Sequence, residues 1–123
     1  MSESEFLEVI NLHAGNAITS FTVLITYLFG FITAAYIAGS KLSKVQVLII
    51  SVLYIFSCFV WIASVLTHAD SFATLVAAHP GYVPSPFWLL PWPVLAGFIG
   101  ICALAASLYF MYDVRSKDVQ SRT

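Results

Sequence analysis

Residues 80–93 read PGYVPSPFWLLPWP, and this stretch decides how often the chain can cross an apolar slab. It lies inside residues 71–112, a run of 42 positions without Asp, Glu, Lys or Arg. A span needs about 20 apolar residues at a rise of roughly 1.5 Å each, so the run is long enough for two. All five prolines of the chain fall in it, at Pro80, Pro84, Pro86, Pro91 and Pro93. Proline removes a helix hydrogen-bond donor and clashes with the preceding turn. Only residues 93–112 remain as a clean helix, with Pro93 suited to the first turn.

Upstream, charge-free runs cover residues 9–40 and 45–69, which are 32 and 25 positions long. Each holds one helix, placed at 15–38 and 45–66. The expected fold is therefore an all-α integral membrane protein with three transmembrane helices in an up-down-up bundle. Around the spans lie an acidic N-terminal segment (1–14), a short loop (39–44), a longer loop (67–92) and a tail (113–123). Within the longer loop, Phe72, Leu75 and Val76 share one face, Asp70 can cap the start and Pro80 can end the turn. A separate helix of about two turns lying in the membrane interface is expected at 71–78.

Composition agrees. The chain has 123 residues, 60% hydrophobic and 9% charged, with a mean hydropathy of +0.92. A soluble domain is about a quarter charged, and disorder requires low hydrophobicity, so both classes are excluded. Only five residues are basic and the net charge is −1, which excludes a nucleic-acid partner.

The basic residues also set an expected orientation. Lys41, Lys44, Arg115, Lys117 and Arg122 fall on one side of a three-span arrangement, and the acidic Glu3, Glu5 and Glu8 on the other. The positive-inside rule puts the first loop and the C-terminus in the cytoplasm and the N-terminus outside, in the inner (plasma) membrane. The start lacks the basic region and small-residue cleavage site of a signal peptide, so the first helix is expected to be retained.

Helix faces carry the next layer of information. Gly15, Thr19, Thr22, Thr26, Gly30 and Thr33 recur at steps of three or four and form one stripe of the first span. Ala96, Gly100, Ala103 and Ser107 form a shorter stripe on the third. Ser51, Tyr54, Ser57, Trp61, Ser64 and His68 do so on the second, with larger groups mixed in. Small and hydroxyl residues mark helix contacts in lipid, so the three stripes are expected to face each other and close one bundle. The alternative is a polar path lined by the Thr/Gly face in a homo-oligomer. No ionisable residue lies mid-span, which argues against a proton-coupled pump.

Three further groups could carry chemistry. His13, His68 and His79 all fall on the expected outer side, and imidazole is a common metal and haem ligand. A turn near Asp70 would bring them together; one continuous helix would hold His68 and His79 roughly 16 Å apart. No short metal motif is present, and no cofactor is predicted from the residues. Cys58 and Cys102 lie at compatible depths but read as small buried hydrophobes. Tyr82, Phe87, Trp88 and Trp92, interleaved with prolines, form a stiff aromatic shelf. It reads either as an anchor for the third helix or as a docking surface for a membrane partner or lipid.

No catalytic constellation, phosphate loop or internal repeat occurs. The sequence thus points to a non-enzymatic accessory or interaction subunit of a membrane complex, in contact with lipid and with a membrane protein partner or a second copy. A homo-oligomeric channel or membrane-perturbing effector using the Thr/Gly face is the alternative. A metal- or haem-binding redox subunit using the histidines is a further one.

Overall fold

The computed structural model describes the backbone of residues 1–123 and every side chain except that of Trp88. Three long helices, α1 (Glu3–Ala38), α2 (Lys44–Ala78) and α3 (Trp92–Arg122), are joined by a short loop and by a longer one. The longer loop holds a single 3₁₀ turn at Pro86–Leu89. No strand occurs among the described residues. All three helices are long and apolar enough to cross a membrane.

Local chemistry sets the ends. Ser2 and Glu5 form a capping box that starts α1 at Glu3 rather than at Gly15. The Ser2 amide donates to the Glu5 carboxylate at 2.7 Å, and the Ser2 hydroxyl accepts from the Glu5 amide at 3.2 Å. These bonds hold the Glu5 carboxyl below its usual range, the backbone N–H contributing most. Ser43 and Gln46 repeat the device at the start of α2. In both cases two orphan N–H groups are satisfied reciprocally.

The separate helix expected at 71–78 does not exist: α2 runs unbroken from Lys44 to Ala78. Asp70 favours caps only in the absence of a stronger context, and neither Gly nor Pro interrupts residues 66–78. Tertiary contact supplies that context. Phe72 is buried with Phe6 and Ile10 of α1 in a satellite cluster, so the last turns of α2 have an apolar partner. At 36 and 35 residues, α1 and α2 measure about 54 and 52 Å by helix rise. Both extend well beyond a slab of about 30 Å.

The five-residue connection at 39–43 makes α1 and α2 antiparallel neighbours, and their contact is the most extensive of the three. Contacts step along both helices in opposite directions. His13 meets His68, Ser20 meets Ser64 and Phe31 stacks on Tyr54. The main core gathers Leu24, Phe31 and Ala35 of α1, Tyr54, Cys58 and Ile62 of α2, and Leu104 and Met111 of α3.

Tyr54 joins all three helices. Its ring stacks on Phe31 at 4.1 Å and 11°. Its hydroxyl lies 2.9 Å from the Ser107 oxygen. Ser107 gives its single proton to the Leu104 carbonyl at 2.8 Å, so the tyrosine is the donor in that pair. A satisfied buried bond of this kind contributes about 1 kcal/mol. Cys58 is buried in the core whereas Cys102 is exposed, and both are free thiols.

The tail is helical to Arg122, with Asp113–Lys117 at 2.8 Å and Asp118–Arg122 at 3.0 Å along it. This i,i+4 order, acid before base, suits a helix dipole.

Candidate functional site

The small-residue stripes do not all converge. On α3, Ala96, Gly100 and Ser107 are buried and Ala103 is half-buried, as a contact face requires. On α2, Tyr54 is buried and Ser51, Ser57, Trp61, Ser64 and His68 are half-buried. On α1 the expectation fails. Gly15, Thr19, Thr22, Thr26, Gly30 and Thr33 are all exposed on the outside of the bundle. The face that α1 turns inward is Ala17, Ser20, Leu24, Phe31 and Ala35.

The reason lies in the division of volume between partners. At Gly100 a Cβ would stand 2.8 Å from the Ile62 side chain and 3.8 Å from that of Leu24. Gly100 lets the large Ile62 of α2 and Leu24 of α1 pack closely on α3, and α1 turns Leu24 and Phe31 inward beside the small Ala17, Ser20 and Ala35. Above Gly15 and Gly30 there is nothing within 4 Å of a Cβ. Thr22 and Thr26 donate their hydroxyls back to the Ile18 and Thr22 carbonyls, each at 2.9 Å. The stripe is thus an exposed face whose Thr22 and Thr26 are satisfied by their own helix, and at Thr26 and Gly30 it borders a cleft against Leu53 and Ser57 of α2. Ser20, which reaches Ser64 at 2.8 Å, is a contact residue that the small-residue pattern passes over. The line Ala17–Ser20–Leu24 was the available signal.

The bundle exterior is also strongly apolar. Leu53, Phe56 and Phe98 are 63%, 68% and 69% exposed, and many large hydrophobic residues accompany them on all three helices. Such extensive apolar exposure is foreign to a soluble monomer.

Of the three histidines, two come together. The Nδ1 atoms of His13 and His68 lie 3.3 Å apart, half-buried between α1 and α2. His79 is elsewhere, since α2 continues unbroken and carries it about 16 Å farther along by helix rise. There its ring stacks on Phe6 at 3.8 Å. Its Nδ1 proton goes to the Leu75 carbonyl at 3.1 Å, which satisfies one of the last orphan acceptors of α2. The three histidines therefore do not converge. Among the described residues no group of three or more His, Cys, Asp or Glu side chains could hold a metal ion.

The aromatic shelf divides into two parts. Tyr82 turns edge-on to Phe6 at 5.3 Å and belongs to the satellite cluster with His79. Phe87 and Trp92 pack on each other at 4.6 Å, and the Trp92 indole donates to the Phe87 carbonyl at 2.7 Å. With Ala17, Phe21, Val65 and Ala96 they line an apolar cavity of about 270 Å³ where the three helices meet. Trp88, the fourth member of the expected surface, has its side chain outside the described residues.

At the opposite end, Arg115 of α3 donates from one Nη to both the Gly39 and Leu42 carbonyls, each at 2.7 Å. The last turn of α1 carries no basic residue of its own, so the cation at its carboxyl end comes from another helix. Sequence reading gave the tail no such role. The signal was a lone arginine just past the apolar part of α3, on the same side as a very short loop.

Comparison with known protein families, with curated proteins and with solved structures yields no match.

Proposed function

We propose that the chain is a membrane-embedded, non-enzymatic interaction subunit that docks a membrane partner through the Thr/Gly face of α1. The observation that carries this is the position of that face. The small residues of α3 are consumed inside the bundle, whereas Gly15, Thr19, Thr22, Thr26, Gly30 and Thr33 are left outside. In lipid, burial of apolar surface does not drive helix association, and close approach over small residues does. The back-bonded hydroxyls of Thr22 and Thr26 favour dry packing over a water-lined path. The apolar exterior supports insertion.

The test is native mass spectrometry of the protein gently extracted from its own membrane, beside the Gly15→Leu/Gly30→Leu variant. Open space over both glycines means that the monomer should tolerate leucine there. The expected result is a complex with a different polypeptide that falls about tenfold or more in the variant, an interface loss of roughly 1.4 kcal/mol. A homo-oligomer lost in the same variant would favour the channel reading instead. Assembly indifferent to both substitutions would remove the face from any role.

We place the chain in the inner (plasma) membrane with the N-terminus outside. Lys41 lies in the short loop, Lys44 opens α2 beside it, and Arg115 is bonded to that loop, which supports one basic end for the bundle. A topology reporter joined after Thr123 is expected to be active only as a cytoplasmic fusion. Activity on the outer side would reverse the orientation.

A further inference from the structure

We propose that His13 and His68 form a two-nitrogen binding site for a divalent transition-metal ion of the Zn²⁺ class, with water completing the coordination. The two Nδ1 atoms are 3.3 Å apart. Two nitrogen ligands at 2.0–2.1 Å from a tetrahedral Zn²⁺ stand about 3.3–3.4 Å from each other, so the spacing already fits a shared ion. Their rings are not stacked, with centroids 5.5 Å apart and planes tilted by 44°. Both rings are half-buried, held by two helices that pack against each other along most of their length. This fixes the separation far better than two histidines on loops would.

In the metal-free pair one Nδ1–H donates to the other Nδ1, so the two rings are opposite tautomers. An ion takes the place of that bridging proton. The donor ring carries its proton on Nε2 instead, and both Nδ1 lone pairs face the metal. Each ring keeps one proton and stays neutral, so binding to the neutral pair releases none. Imidazole selects borderline ions such as Zn²⁺ and Cu²⁺ over Mg²⁺ and Ca²⁺, which take oxygen ligands. No third protein ligand converges among the described residues, so the remaining coordination positions stay open to water. The ion would also tie α1 to α2, and binding to the folded state alone raises its stability.

The experiment is calorimetric titration of the purified full-length protein with Zn²⁺ and, separately, with Mg²⁺, paired with thermal unfolding followed by circular dichroism. Expected are one Zn²⁺ per chain, no Mg²⁺ uptake and a higher Tm with Zn²⁺. His13→Ala and His68→Ala should each weaken Zn²⁺ binding about tenfold or more, since half the protein ligands are gone. His79→Ala should leave it intact. If an alanine variant does not fold, His13→Gln and His68→Gln replace it, keeping a polar group at the helix contact. No saturable Zn²⁺ uptake by the unaltered protein would overturn the proposal. So would uptake that survives loss of both histidines, or that falls equally in His79→Ala.

Discussion

Gly100→Leu is expected to destabilise the bundle by about 1–3 kcal/mol, the usual range for overpacking a tight contact. Gly97→Leu, on the same helix, should leave stability unchanged or slightly raised. The two positions share a backbone conformation and gain similar helix propensity, roughly 0.8 kcal/mol over glycine. They differ in what lies above them. At Gly100 even the first added carbon would come within 2.8 Å of Ile62 Cδ1 and 2.9 Å of Ile62 Cγ1, with Leu24 behind. At Gly97 nothing lies within 4 Å. Alanine at position 100 already requires the buried Ile62 side chain to shift from Cγ1 outward; leucine must push α3 off α2 and α1. Unfolding by SDS titration, followed by near-ultraviolet circular dichroism, measures both variants. Equal midpoints would mean that Gly100 is not the contact on which α3 packs.

Arg115→Ala should cost about 1.5–3 kcal/mol, the range for hydrogen bonds from a charged donor. The guanidinium closes the end of α1 from the outside by joining the Gly39 and Leu42 carbonyls to α3. Gly39 is buried there, and a side chain at that position would run into the Ala35 carbonyl oxygen and approach Met111 Sδ at 3.2 Å. The loop can thus turn tightly beneath α3 and aim its carbonyls at Arg115. Lysine keeps the charge and can also donate twice from one nitrogen, but its ammonium sits on a flexible stem that is not pre-organised as the guanidinium is, so Arg115→Lys should recover only part of the loss. Hydrogen exchange at residues 35–43 provides the local readout. Unchanged protection in Arg115→Ala would show that water replaces the arginine without penalty.

Several parts of the fold were legible because they rest on one-dimensional constraints. The prolines between Pro80 and Pro93 forbid a fourth long helix whatever surrounds them, and charge-free length sets the number of long apolar helices. The capping box of Ser2 and Glu5 was equally present in the sequence but is masked because Glu3, Glu5 and Glu8 fall before the charge-free run that begins at Val9. Propensity at Asp70 misled in the other direction, because a single favourable cap is a weak preference beside the packing of Phe72 on Phe6 and Ile10.

The candidate sites were legible only as residue types. Helical spacing identified the Thr/Gly stripe as a distinct face, yet could not say which way it turned. That depended on how the three helices fit together, with Ile62 and Leu24 closing over Gly100 and Phe31 stacked on Tyr54. The histidines show the same limit. Spacing along the chain put His68 and His79 in one region, while the partner that His68 meets comes from 55 positions away in sequence.

The sequence by itself determined that the chain forms three apolar helices, because hydrophobic length and proline position act locally and need no partner. Only the tertiary structure decided which face of each helix is spent on the others. It left the stripe of α1 outside, set His13 against His68 and carried Arg115 to the end of α1. Those outcomes depend on how the volumes of three helices fit together, and no single helix encodes that fit.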